Sequence, residues 1–88
     1  MNTVLWTRTA EKQLEKIPQK YKIQILAGVD RLASTWPQSS NVRDLANIPG
    51  YRLRIGDYRI FFVAAEDGEL NILKITQVRK RDDRTYKH

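Results

Sequence analysis

Three arginines occur within one short stretch, residues 51–63, which reads YRLRIGDYRIFFV. Polar and apolar residues alternate on both sides of Gly56-Asp57, which predicts a β-hairpin with a two-residue turn. Guanidinium groups bind phosphate through a planar pair of hydrogen bonds and stay protonated at all relevant pH values. The predicted register places all three arginines, Arg52, Arg54 and Arg59, on one face of the hairpin. This face is therefore expected to bind phosphate groups.

The other face of this hairpin is apolar. It carries Tyr51, Leu53, Ile55, Tyr58, Ile60 and Phe62. The register also sets Arg54 opposite Arg59 and Arg52 opposite Phe61. Like charges in such cross-strand pairs cost a few tenths to about 1 kcal/mol. Arginines that only keep an exposed face soluble are the alternative, but such a face more naturally mixes charge signs.

A second hairpin is predicted at Asp67-Gly68, a pair of residues typical of type I′ turns. With these two residues in the turn, Phe61 pairs with Lys74 and Arg59 pairs with Thr76. This register would add Lys74 and Thr76 to the arginine face.

The last ten residues, RKRDDRTYKH, carry five basic and two acidic groups, which is half of the net charge of +6. Such a basic segment favours a polyanionic partner, nucleic acid first, although a solubilising tail is an equal alternative. Tyr86 lies among these cations, which favour its deprotonated form and would suit proton transfer. The alternative is that Tyr86 only packs on the sheet.

The elements that position these residues follow from the periodicity. We predict a strand over 2–6, a helix over 8–17 capped by Thr7, a helix over 19–35, and strands over 51–55, 58–65 and 70–78. Residues 37–50 are rich in turn formers and predict a loop with one helical turn around Val42–Ala46. Apolar stripes predict that the helices pack on the sheet, and Ile23 and Leu26 are expected to widen the stripe of the second helix. The fold class is α+β: an N-terminal strand, a helical hairpin and a three-strand antiparallel meander, in a single domain over 1–88.

Several classes of function are disfavoured by composition. The chain has no cysteine, and its one histidine is His88, so neither a metal site nor a His-centred triad is expected. We expect no cofactor. The longest apolar runs fall short of the roughly 20 residues that span a bilayer, and the first residues do not form a signal peptide, so we expect a cytoplasmic protein without membrane contact.

Arginine, lysine and tyrosine suffice for one reaction class, the transfer of an RNA phosphodiester to its own 2′-hydroxyl. The substrate supplies the nucleophile, and the protein orients it and stabilises the charge on the phosphorane.

The stretch LANIPGYRLRIGDYRIFFV, followed by a strand and QVRKRDDRTY, resembles the RelE/ParE superfamily of bacterial type II toxins. The order of elements is also that of the superfamily, over essentially the whole chain. The RelE branch, which this chain resembles more closely, implies a ribosome-dependent mRNA endoribonuclease that cleaves the A-site codon and inhibits translation. The ParE branch implies a DNA gyrase inhibitor without nuclease activity, which is the alternative.

The resemblance also implies roles for particular residues. Arg59 and Arg81 would hold the scissile phosphate, Arg52 and Arg54 would stabilise charge and assist the leaving group, and Tyr86 would activate or stack on the nucleotide. Lys80 stands near the place of a histidine in many relatives, so Tyr86 and Lys80 are both candidates for the acid or base. The remaining basic residues of the outer strand and tail are expected to contact RNA: Lys74, Arg79, Lys80, Arg84 and Lys87.

The partners implied by the resemblance are a cognate antitoxin, the ribosome and its A-site mRNA. A segment of the antitoxin that folds on the toxin is expected to be acidic, given the charge of +6. A non-catalytic module that binds RNA or the ribosome is a third possibility.

Overall fold

The computed structural model describes residues 2–81, which form one five-stranded sheet and two helices. The elements are β1 (Asn2–Trp6), α1 (Arg8–Glu15), α2 (Gln19–Thr35), β2 (Val42–Asp44), β3 (Tyr51–Ile55), β4 (Tyr58–Asp67) and β5 (Leu70–Lys80).

The five strands form one sheet in the order β1-β5-β4-β3-β2. Strands β3, β4 and β5 are the antiparallel meander that the turn signals predicted, and β1 pairs with β5 in parallel. The α+β fold class, with its N-terminal strand and helical hairpin, is therefore confirmed. The long connection that the parallel β1–β5 pairing requires consists of the helical hairpin and strands β2, β3 and β4.

The prediction of a helical turn around Val42–Ala46 was wrong. Val42, Arg43 and Asp44 form β2, which pairs antiparallel with β3. Three residues are too few for a clear alternating pattern, and turn formers surround them, so the strand depends on the free edge of β3 that it covers.

Both helices begin and end near the predicted residues. Thr7 caps α1, and its hydroxyl accepts a hydrogen bond from the backbone N–H of Ala10 at 3.1 Å. Helix α1 ends at Glu15, two residues before the predicted end, and Ile17 packs against the core from the connection. Pro18 then precedes the first turn of α2, where its missing N–H costs nothing.

The core lies between the two helices and one face of the sheet. Its buried members are Ala10, Ile25, Val29 and Leu32 from the helices and Leu53, Tyr58, Ile60, Phe62, Leu73, Ile75 and Val78 from the strands. Two predicted members are instead exposed: Ile23 by 57% and Leu26 by 42%. At 100° per residue, Ile23 projects nearly opposite to Ile25, so it cannot share the buried stripe.

Helix α1 covers the part of β5 that extends beyond β1. The hydroxyl of Thr7 donates to the carbonyl of Thr76 at 3.2 Å, and the backbone N–H of Val78 donates to Oε1 of Gln13 at 2.7 Å. Side chains of α1 thus satisfy backbone groups that would otherwise be left at a strand edge. Within residues 2–81, no helix is long and apolar enough to cross a membrane.

Candidate nucleic-acid interface

The first hairpin has the predicted register. Arg54 pairs with Arg59, Arg52 pairs with Phe61, and the turn consists of Gly56 and Asp57. Gly56 has a φ of 56°, which is the left-handed conformation that the first position of a type II′ turn requires. The three predicted arginines consequently lie on the face of the sheet that points away from the helices.

Strand β2 adds a fourth arginine that the sequence analysis missed. Arg43 pairs with Arg52, while the neighbouring Val42 pairs with Leu53 and packs against the core. The backbone N–H of Arg54 donates to the carbonyl of Asn41 at 3.0 Å, which extends this pairing. The dipeptide Val42-Arg43 has the same apolar–basic alternation as β3, and this was the signal that could have identified Arg43.

Arg81 reaches the same region from the end of β5. Its backbone N–H donates to the carbonyl of Asp57 at 2.6 Å, so the chain passes beside the first hairpin turn. The arginines predicted from the hairpin and from the tail therefore meet at one corner of the sheet, as their proposed roles require.

An open cavity of about 400 Å³ lies at this corner. Five arginines line it: Arg43, Arg52, Arg54, Arg59 and Arg81. The other lining residues are Asn41, Val42, Gly56 and Tyr58. We call it the arginine cavity. Among residues 2–81 its lining includes no aspartate or glutamate, and this composition suits a phosphate group.

The arrangement is locally unfavourable for the folded state. Arg54 and Arg59 flank the pair that closes the two-residue turn, so they form a non-hydrogen-bonded pair, the kind in which side chains lie closest. Two like charges in that position repel, and a bound anion would relieve the repulsion. This pattern is typical of a ligand site rather than of a surface shaped for stability.

The predicted register of the second hairpin was wrong. The turn is formed by Gly68 and Glu69, so Asp67 pairs with Leu70, and a bulge between Phe61 and Phe62 shifts the pairing again. Gly68, with a φ of 64°, takes the first turn position, as in a type II′ turn, instead of the second position expected for a type I′ turn.

These two shifts change which residues flank the arginines. Arg79 pairs with Arg59 and Gln77 pairs with Phe61, whereas Lys74 pairs with Val63 at a distance along the strand from the arginine cavity. Lys80 pairs with Tyr58, whose side chain belongs to the core face. The structure therefore brings Arg79 beside the predicted site but separates Lys74 and Lys80 from it. Tyr86, Arg84 and Lys87 lie outside the described residues.

Comparison with known proteins identifies the family to which the chain belongs. Residues 4–84 match the family model of the ParE toxin of the type II toxin–antitoxin system parDE. The chain belongs to this toxin family. The resemblance to the RelE/ParE superfamily seen in the sequence is thereby confirmed, and no curated protein sequence matches the toxin.

Solved structures show the same fold. The toxin is similar to a chain of the RelBE2 toxin–antitoxin complex of Mycobacterium tuberculosis, with 23% identity, a TM-score of 0.75, and coverage of 90% of this chain and 96% of that one. A YoeB/ParE toxin from Agrobacterium tumefaciens has 16% identity, a TM-score of 0.71 and coverage of 91% and 99%. A chain of the intact RelBE toxin–antitoxin complex of E. coli has 14% identity and a TM-score of 0.73, and the match covers 91% of this chain and 96% of that one. At these identities the likeness concerns the fold alone.

Proposed function

We propose that this toxin is a ribosome-dependent mRNA endoribonuclease that inhibits translation. The observation that carries the proposal is the arginine cavity, at which five arginine side chains from three strands and the residue after β5 converge. Like charges placed together have a cost in stability, and the phosphates of an RNA backbone would offset that cost.

The reaction that suits these groups is attack of the RNA 2′-oxygen on the adjacent phosphorus. The bond from O2′ to phosphorus forms, the bond from phosphorus to O5′ breaks, and the products carry a 2′,3′-cyclic phosphate and a 5′-hydroxyl. A proton leaves O2′ and a proton reaches O5′. Negative charge grows on the equatorial oxygens in the transition state, which is where fixed guanidinium groups are most effective.

Roles follow from position. Arg59 and Arg81, from β4 and the end of β5, hold the scissile phosphate, and Arg52 and Arg54 of β3 stabilise charge and assist the leaving group. Arg43 extends the same surface from β2 and provides a further phosphate contact. Tyr86, five residues beyond Arg81, serves as the proton-transfer group, because Lys80, the other candidate, does not line the cavity.

The cavity is rich in cations but holds few groups that transfer protons at neutral pH, since guanidinium groups do not give up a proton. Precise placement of the 2′-oxygen must then supply much of the acceleration, because orientation alone can be worth about 7–11 kcal/mol. The ribosomal A site, which holds a codon in a fixed conformation, would provide this placement in the cytoplasm.

The test is to map mRNA 5′ ends in a translating extract after addition of the toxin. Wild-type protein should cut within A-site codons, and Arg59→Ala and Arg81→Ala should each reduce cleavage by roughly 100-fold or more, as loss of one preorganised charge contact does elsewhere. Lys12→Ala is the matched control, because it removes one exposed positive charge from α1, across the sheet from the cavity. If the mRNA stays intact in the translating extract with wild-type toxin, the proposal is wrong.

Inhibition of DNA gyrase without nuclease activity is the second candidate, and the description of the matching family model as a ParE toxin favours it. One measurement distinguishes gyrase inhibition from mRNA cleavage. Gyrase–DNA cleavage complexes that accumulate while mRNA stays intact would establish the second function and exclude the first.

We also propose a cognate antitoxin as partner. The similar solved chains from Mycobacterium tuberculosis, Pyrococcus horikoshii and E. coli come from toxin–antitoxin complexes. For this chain, an acidic antitoxin segment that covers the arginine cavity would neutralise the site and inhibit the toxin. Copurification of the two proteins, weakened by Arg52→Glu, is the expected result.

A further inference from the structure

Phe61 differs from the other aromatic side chains of the sheet in the direction it faces. Phe62, Tyr51 and Trp36 pack together on the core side, with ring centroids 4.9 to 5.4 Å apart. Phe61 is next in sequence to Phe62, so it projects to the opposite face, where it is half-buried. Among residues 2–81, no aromatic ring stacks on it.

Phe61 forms part of a recess of about 260 Å³ on this face. The loop between β2 and β3 makes one wall, and it is closed by a hydrogen bond of 3.1 Å from the N–H of Leu45 to the carbonyl of Gly50. Gly50, at a φ of 128°, lies so close to β4 that a Cβ there would be 3.1 Å from the carbonyl oxygen of Phe62. The recess is lined by Leu45, Ile48, Pro49, Val63 and Gln77, among others.

This recess adjoins the arginine cavity. Phe61 pairs with Arg52, and Arg59 lies two residues before it on the same face of β4. Arg79 lines the recess and pairs with Arg59, which lines the cavity. Side chains that oppose each other directly have Cβ atoms about 4.5–5.5 Å apart. The aromatic ring of the recess and the nearest arginine of the cavity are therefore neighbours on the sheet.

The geometry points to a nucleobase site. We infer that the recess beside Phe61 takes the base of an RNA nucleotide whose phosphate lies in the arginine cavity. A nucleotide joins a planar apolar base to its phosphate through one sugar, which fits the short step between the two sites. The inference rests on the proposed function.

The polar edge of the recess suits the edge of a base. Gln77 carries an amide with both donor and acceptor atoms, and Nη1 of Arg79 donates to its Oε1 at 3.2 Å. This bond orients the amide at the rim, next to the aromatic face. Stacking on Phe61 would accept any base, and Gln77 would give a preference among bases through hydrogen bonds to the base edge.

The test compares two fluorescent single strands of equal length, an oligouridylate and the matched strand of abasic riboses, by anisotropy with the full-length toxin. Wild type should bind the strand with bases roughly tenfold more tightly, within the range known for stacking of one base on an aromatic ring. Phe61→Leu keeps an apolar side chain but removes the ring face, so it should lose most of this difference and bind the abasic strand as wild type does. Phe61→Tyr should retain the difference.

A second variant guards against a folding effect of the change at Phe61. Ile48 is 64% exposed at the rim, so Ile48→Asp leaves the core intact and should also reduce the preference for bases. Equal affinity of wild type for the two strands would overturn the inference and leave the proposed function standing. Binding of neither strand would also overturn the inference, whereas the proposed function is decided separately by the mapping of mRNA ends in a translating extract. Unchanged RNA binding by Phe61→Leu with weakened antitoxin binding would assign the recess to a protein partner and also overturn it.

Discussion

Arg54 and Arg59 show at the residue scale how the site opposes stability. They oppose each other beside the first turn, in the pair geometry that brings side chains closest. Replacing Arg54 with Gln removes the repulsion and should raise the free energy of unfolding by a few tenths to about 1 kcal/mol. The same variant should bind RNA more weakly. Urea unfolding and anisotropy measure the two effects on one sample.

The control for this prediction is Lys12→Gln, which removes one exposed charge from α1. It should leave RNA affinity unchanged and should not raise stability, because Lys12 lies near the C-terminal end of the helix, where a cation is favourable. A loss of stability in Arg54→Gln would show that this arginine contributes favourable contacts that outweigh the repulsion.

The site residues differ in how far the sequence could predict them. Arg52, Arg54 and Arg59 belong to a long alternating pattern that a glycine turn interrupts. The two-residue period of the strands and the length of the turn together predict that they share one face of the hairpin. Arg43 belongs to a three-residue strand whose existence depends on the edge of β3, where its partner Arg52 lies nine residues later in the chain. A local pattern contains no information on that edge, so Arg43 was missed.

At the element scale, the placement of Arg79 depends on the bulge in the β4–β5 pairing. Gln13 of α1 accepts the N–H of Val78, just beyond the bulge. In Gln13→Leu this N–H, on a residue that is only 4% exposed, would lose its acceptor, at a cost of about 1–3 kcal/mol. We expect lower stability in urea and faster hydrogen exchange at the Val78 amide.

Gln13→Glu is the matched control, since its carboxylate can still accept the bond. It should retain slow exchange at Val78. If the leucine variant exchanged as slowly as wild type at this amide, β5 would be held by its pairing with β4 alone.

Thr7 joins the start of α1 to β5 through a single hydroxyl. This group accepts from the N–H of Ala10 and donates to the carbonyl of Thr76. Thr7→Ala should therefore lower the free energy of unfolding by about 1–2 kcal/mol, the upper part of the range for loss of a helix cap. Thr7→Ser keeps the hydroxyl and should restore most of the loss in the same unfolding assay; equal destabilisation by serine would assign the effect to the methyl group.

The helices and strands with a long periodic pattern of apolar residues were predicted well. The strand register was predicted poorly where a shift of one residue changes the pairing. Helix α2 and strands β3 and β4 follow clear periods. The second hairpin failed because the turn moved by one residue and the bulge added another shift. The bulge sets Val78 opposite Ile60, where an unbroken register would set Gln77, so burial of an apolar side chain favours the bulge.

On the scale of the whole molecule, positive charge concentrates at one corner of the sheet and acidic residues lie at the far end of the β4–β5 hairpin, where Glu66, Asp67 and Glu69 occur. For a single strand, each phosphate contact adds about 0.7 to the slope of the logarithm of affinity against the logarithm of salt. Arg59→Gln should reduce this slope by about 0.7 in a salt titration of RNA binding.

Two other variants show whether the slope reports the cavity. Phe61→Leu should weaken binding without changing the slope, because a stacked base neutralises no phosphate. Lys12→Gln should change neither quantity. A similar loss of slope in Lys12→Gln and Arg59→Gln would mean that RNA binds by net charge instead of at the arginine cavity.

The hydrogen bond between Arg81 and the carbonyl of Asp57 has a practical consequence. It holds Arg81 beside the first hairpin turn, and only the seven residues 82–88 would separate Arg81 from a peptide fused after His88. An acidic affinity tag at that end would act as a tethered competitor at high local concentration, and a polyhistidine tag would bring its own metal-binding groups to the cavity. For assays of this toxin, a removable tag should precede Met1, at the opposite end of the sequence from the site.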